Sequence, residues 1–236
     1  MKFESLASSS HGNAYIVSDG STRILLECGV SYRKLQKLSG FKAADFSACL
    51  ISHEHKDHSA CAANIVASGI PVYTSEGTAQ ALEIEGTEPV SHMEQFRVGT
   101  IEIMPFSTFH DAAEPLGFLF YSLEDGESLA FATDTVNLRY RFQALDMLAI
   151  EANYDKDVLA LCERIPDKIR HRITNTHMEI GTLCDYLKSL DLSRCRAVYL
   201  LHLSDATSRE WDFVRRVRAV VPRSTKVIVC PKEKED

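Results

Sequence analysis

Apolar residues in this chain fall into short runs set apart by turn dipeptides. The runs Ala14–Val17, Arg23–Glu27, Cys49–Ser52, Val72–Thr74, Ile101–Phe106, Leu116–Ser122, Leu129–Thr133, Leu148–Glu151, Ala197–His202 and Lys226–Cys230 predict strands. Asp19-Gly20, Val98-Gly99 and Asp125-Gly126 supply turns between several of them. Helical spacing takes over elsewhere. Ser59–Ser68 is Ala-rich and stops at Gly69, a natural helix end, and Ile180–Leu190 repeats apolar residues along one helix face. Thr207–Val221 carries Trp211, Val214, Val217 and Val221 on one side, with Arg215, Arg216 and Arg218 mostly elsewhere. Strands interleaved with helices predict an α/β sandwich with two sheets inside and helices on the outer faces. The length of 236 residues fits one domain, 1–236, without repeat or linker. The charged tail Lys232–Asp236 is expected to fray.

Composition narrows the class. The 45% hydrophobic and 25% charged content belongs to a globule with a sizeable core. Neither a leader-like apolar stretch at Met1–Ser10 nor any run long enough for a membrane span is present, so a cytoplasmic location is expected. Seven scattered cysteines without a C-x-x-C pair predict reduced core thiols. The net charge is −7, and Glu76–Glu151 holds fourteen acidic residues against three arginines and no lysine. Such a distribution lacks the dense basic stripe of a general nucleic-acid binder.

The strand-like Leu50-Ile51-Ser52 runs into His53-Glu54-His55-Lys56-Asp57-His58. Side chains alternate along a strand end, so His53 and His55 point to one side. The turn into the following helix redirects Asp57 and His58, which suits two cations about 3.5–4 Å apart. His110, Asp134 and His202 each follow another predicted strand, where α/β folds place their sites.

This order and spacing, H-x-H-x-D-H followed by a lone His, a strand-end Asp and a late His, is similar to the metallo-β-lactamase superfamily. The resemblance implies an αββα sandwich. It also implies one metal on His53, His55 and His110, a second on Asp57, His58 and His202, and Asp134 bridging the two. Nitrogen and oxygen donors without thiolate suit two Zn²⁺, with Mn²⁺ or Fe²⁺ compatible. In one respect the chain departs from the family. Glu27 stands in Leu25-Leu26-Glu27-Cys28-Gly29 where the family has Asp, and it is expected to orient the ligand loop from behind.

Ser9-Ser10-His11-Gly12-Asn13, His110–Phe118, Glu151-Ala152-Asn153-Tyr154-Asp155, Thr176-His177-Met178 and Leu201-His202-Leu203-Ser204 further resemble the WalJ/YycJ group. That group is related to ribonuclease Z and neighbours the anti-Pycsar cyclic-nucleotide phosphodiesterases of phages. The resemblance implies phosphodiester hydrolysis by hydroxide from a water shared between the metals. Asp57 and Asp134 would position that water. His177 would protonate the leaving oxygen with Glu151 as its orienting partner, the alternative being a His that caps the helix at Ile180. A small cyclic nucleotide and nucleic acid both remain open as substrates. No inserted RNA-gripping arm is evident, whereas Arg170, His171, Arg172, Arg194 and Arg196 form either a phosphate-binding rim or a solvated surface. The resemblance also brings a homodimer as the common state of relatives. A glyoxalase-type thioester hydrolase and a di-iron redox protein use similar ligand patterns and stand as alternatives.

Overall fold

A computed structural model describes residues 1–234. Contacts sort the chain into two compact units. One comprises Met1–Ser107, Ala112–Glu127 and the segment from Pro231, and the other Thr108–Asp111 and Ser128–Cys230.

The first unit opens with β1 (Lys2–Ser9), β2 (Gly12–Ser18), β3 (Arg23–Leu26), helix α1 (Tyr32–Leu38) and β4 (Ala48–Leu50). Helices α2 (Lys56–Ser59) and α3 (Ala62–Ala67), strand β5 (Val72–Thr74), helix α4 (Glu76–Leu82) and β6 (Thr87–Pro89) follow. These six strands form a sheet in chain order, antiparallel through β3 and parallel from there on. An antiparallel meander, β7 (Phe96–Val98), β8 (Ile101–Ser107) and β9 (Leu116–Ser122), completes the unit.

Strand β1 is absent from the sequence-based expectation because its serines read as loop. Ser8 and Ser9 are in fact buried, and Ser8 Oγ lies 2.7 Å from Tyr15 Oη, which satisfies the hydroxyl inside the sheet. The predicted Ser59–Ser68 helix is broken into α2 and α3 near Cys61, whose N–H bonds to Cys28 O rather than continuing the helix. Gly69 ends α3 at φ +75° as expected. The tail is paired instead of frayed up to Lys234. Glu233 bridges Ala7, and Lys234 N–H bonds Leu6 O, while Glu235 and Asp236 lie outside the described residues.

The second unit is built on β10 (Ser128–Ala132), β11 (Met147–Glu151), helices α5 (Lys156–Leu161), α6 (Asp167–Thr176) and α7 (Ile180–Lys188), β12 (Ala197–Leu201), α8 (Glu210–Arg218) and β13 (Lys226–Val229). Its strands pair in parallel in chain order. Parallel strands covered on both faces read as continuous apolar runs, and Leu129–Ala132 and Met147–Glu151 are buried throughout. That burial made these strands legible, and it leaves their carboxyl ends as the places where polar groups emerge.

Cys28, Cys49 and Cys61 pack in the core of the first unit, and among the described residues all seven cysteines are free thiols. Hydrogen bonding within this trio, together with burial, pushes Cys28 and Cys61 up, so they stay protonated. No helix is long and apolar enough to cross a membrane among the described residues.

Candidate metal centre

In the first unit the ligand-type residues leave β4 and enter α2. Ser52 Oγ lies 2.8 Å from His53 Nδ1, and His53 Nε2 faces His55 Nδ1 at 3.1 Å. Two imidazole lone pairs at that distance repel unless a proton or cation lies between them. His58 Nε2 lies 3.4 Å from Asp57 Oδ2, and its ring centroid is 4.2 Å from that of His53.

Glu27 sits beneath this loop, wholly buried, directly after β3 at φ +60°. Its carboxylate accepts the Ser52 N–H (3.2 Å to Oε1) and lies 3.4 Å from His58 Nδ1. The longer stem of Glu therefore still reaches the ligand loop. Burial pushes the Glu27 carboxyl up against the pull of His58 and Ser52. Asn13 supports the same imidazole, with Nδ2 3.2 Å from His58 Nε2 and 3.1 Å from Asp57 O. In the sequence Asn13 stands out only as part of the Ser9–Asn13 motif. Its signal was a carboxamide in an otherwise apolar strand, which must find partners if buried. Gly29 is required for close approach, because a Cβ there would stand 1.7 Å from Asp57 O.

In the second unit Asp134 follows β10 at φ +44°, Glu151 ends β11, and His202 follows β12 at φ +53°. Left-handed backbone at non-glycine residues carries strain and clusters at functional sites. Asp134, Glu151, His177 and His202 are buried together, with donor atoms within 4.8 Å of one another. His110 Nδ1–H donates to Thr176 O at 2.8 Å, which fixes the tautomer and leaves Nε2, 3.5 Å from Asp134 Oδ2, as the electron-pair donor. His202 Nδ1 lies 3.3 Å from Asp134 Oδ1 and 3.4 Å from Glu151 Oε1, and Asn153 Nδ2 donates to His202 O at 2.8 Å.

Glu151 is the hub of this group. Its Oε2 accepts the N–H groups of Thr135 (2.8 Å) and Met178 (3.1 Å), and Oε1 lies 2.6 Å from His177 Nδ1. Burial works against both charges, but the pair overcomes it: Glu151 is held below its ordinary range and His177 above its own. The helix at Ile180 is capped by the Glu179 carboxylate, which accepts from Gly181 and Thr182, so capping is not the task of His177.

The region read as either a phosphate-binding rim or a solvated surface carries arginines paired with neighbouring acceptors, and Arg172 and Arg194 are about half exposed. Arg170 is spent on the carbonyls of Leu159 and Cys162, Arg172 on Asp111 (2.9 Å), and Arg194 on Asp146 (3.0 Å).

The donor set therefore fits divalent cations. Each unit holds buried or half-buried imidazoles beside carboxylates, several with the far ring nitrogen already held by a serine, carbonyl or carboxylate, as ligating histidines are.

Comparison with known proteins agrees. The chain is 30% identical over 226 residues to the protein named exodeoxyribonuclease YycJ of Bacillus anthracis, covering 86% of this chain and 83% of the relative. It is 29% identical to exodeoxyribonuclease WalJ of Streptococcus pneumoniae, covering 86% and 81%. Its fold matches the metallo-β-lactamase fold protein YhfI of Bacillus subtilis with a TM-score of 0.76 over 98% of this chain and 97% of that one, at 16% identity. The expected sandwich of two mixed sheets with flanking helices is thus the observed architecture. Since the model of the β-lactamase superfamily domain also matches residues 22–203, which hold every residue of the ligand motif, the chain belongs to that superfamily.

Proposed function

We propose that the protein is a phosphodiesterase that uses two divalent metal ions to hydrolyse nucleic acid, DNA first. His53, His55 and His110 would hold one ion, Asp57, His58 and His202 the other, with Asp134 between them, as the motif order implies. The observation that carries the reading is the Glu151–His177 pair, 2.6 Å apart, beside the strand-end groups Asp134 and His202. Two relatives named exodeoxyribonucleases, aligned over most of their own length, support it.

Bound divalent ions supply Lewis acidity toward phosphoryl oxygens and an activated water. Asp57 and Asp134 hold the incoming water by accepting its hydrogen bonds. Glu151 grips the His177 ring through Nδ1, which leaves Nε2 as the atom that gives a proton to the departing oxygen. The two backbone N–H groups on Glu151 keep its carboxylate in place during that transfer.

Nitrogen–oxygen ligation without thiolate favours zinc, with manganese as the second reading. A cytoplasmic homodimer completes the proposal on the resemblance alone, and light scattering of the purified protein tests the dimer. The deciding experiment is a screen of zinc- and manganese-loaded protein against single- and double-stranded DNA, RNA, cyclic mononucleotides and bis(p-nitrophenyl) phosphate. We expect cleavage of DNA. Turnover of cyclic nucleotides with intact polymers would replace nucleic acid by the small substrate. Iron by elemental analysis, or thioester cleavage alone, would favour the redox or glyoxalase-type alternatives.

A further inference from the structure

We infer that Arg139, stacked on Phe109, is a backbone-phosphate contact for a single-stranded nucleic acid substrate. The inference rests on the phosphodiesterase reading and assigns it a binding residue. It starts from charge. Between Glu76 and Glu151, fourteen acidic residues face three arginines, and two of those three are Arg139 and Arg141. Both stand in the loop that leaves Asp134, and from Thr135 to Leu145 that loop has no acidic residue. The most acidic third of the chain thus keeps two of its three arginines close in sequence to Asp134.

The loop is tied to the site at its root. Thr135 N–H donates to Glu151 Oε2 (2.8 Å), Thr135 Oγ1 accepts from Phe109 N–H (3.0 Å), and Val136 N–H donates to Phe109 O (3.1 Å). Phe109 immediately precedes His110. The Arg139 guanidinium lies 4.4 Å from the Phe109 ring centroid and is exposed, with no carboxylate partner among the described residues. Stacking holds a guanidinium by its face and leaves its N–H edge for bidentate contact with phosphate.

Arg141 has a different task. Its Nη1 donates to the carbonyls of Leu138, Arg139 and Tyr140, and its guanidinium lies over Tyr186 at 5.0 Å, which braces the loop. Tyr140 and Phe142 stand stacked in the same stretch, at 6.3 Å and 28°. Basic groups interleaved with aromatic rings suit a strand whose bases are unpaired. Arg170, Arg172 and Arg194 already have acceptors, and within this loop Arg141 is spent on its own carbonyls, so Arg139 is the cation left here for phosphate.

The test is binding of a fluorescein-labelled, hydrolysis-resistant phosphorothioate single strand of about 12 nucleotides to the metal-loaded protein, by anisotropy across a salt series. Arg139→Ala should weaken binding about tenfold and reduce the slope of log affinity against log salt by about one. Arg139→Lys should keep the slope and recover only part of the affinity, while Arg218→Ala, an equal charge change on α8, should bind as the parent does. Parent-like affinity and slope in Arg139→Ala, or an equal loss in Arg218→Ala, would overturn the inference, as would a parent protein that does not bind the strand. A parent that binds the strand but cleaves no phosphodiester would sink the functional reading and leave Arg139 as a binding residue.

Discussion

His177 Nδ1 stands 2.6 Å from Oε1 of Glu151, a carboxylate with no exposed surface whose other oxygen takes two backbone N–H groups. The pair sets both the direction in which the ring presents its second nitrogen and its capacity to hold a proton. A proton donor matters most when the leaving group is poor. His177→Ala should therefore lower kcat on a DNA oligonucleotide by about 10²–10⁴ while costing much less on bis(p-nitrophenyl) phosphate, whose leaving group departs without help. Steady-state kinetics on the two substrates check this. Equal losses on both would mean that His177 only supports the fold or the metals.

Asp134 lies 3.3 Å from His202 and 3.5 Å from His110 through its two carboxylate oxygens, on a left-handed backbone. If it bridges two ions, Asp134→Ala should lose at least one metal equivalent and about 10³-fold or more in activity together. Elemental analysis of the purified variant, with circular dichroism to confirm the fold, reads both. Full metal content with full turnover would refute the two-ion assignment.

Glu27 touches no substrate in this scheme; it sits under the ligand loop and holds His58 through Nδ1. Partners behind ligands usually change metal affinity by 10–100-fold. Glu27→Gln keeps the length and weakens the hold, so metal affinity in a chelator competition should fall by about tenfold. The metal-saturated variant should regain most of its kcat. A kcat that stays low at saturating metal would give Glu27 a more direct part.

Much of the candidate site was legible in the sequence because ligand-type residues at strand ends are dense and ordered. His53 to His58, His110, Asp134 and His202 all emerge where an apolar run stops, and burial of those runs is what made them readable. The contacts that support the ligands were less visible. Asn13 and the Thr176 carbonyl reach their histidines through tertiary folding, and no sequence spacing ties either one to its partner. Strand β1 was hidden for the same reason, since buried serines look like a turn until Tyr15 is placed against Ser8. For the arginines of α6 the sequence left a phosphate rim and a solvated surface open, and only the tertiary contacts pair Arg170 with carbonyls and Arg172 with Asp111.

Asp155 gives a stability prediction with a defined pH sign. It caps α5 by accepting from Asp157 and Val158 through Oδ1, and its Oδ2 lies 2.6 Å from Arg216 Nη1 on α8. Burial alone would raise its pKa, but the backbone N–H groups and Arg216 win and lower it. A carboxyl lowered in the folded state adds stability that is present above its unfolded pKa of about 3.9 and is lost as pH falls through the lower folded value. Asp155→Ala removes cap and ion-pair partner together and should cost about 2 kcal/mol at neutral pH. Asp155→Asn keeps an acceptor for the cap and should cost less. Its deficit relative to the parent should shrink in acid, as the parent's own carboxylate is protonated. Urea unfolding of the three proteins at pH 7 and again below pH 4 measures this. A deficit in Asp155→Asn that is constant across that range would show that the charge of Asp155 contributes nothing to stability.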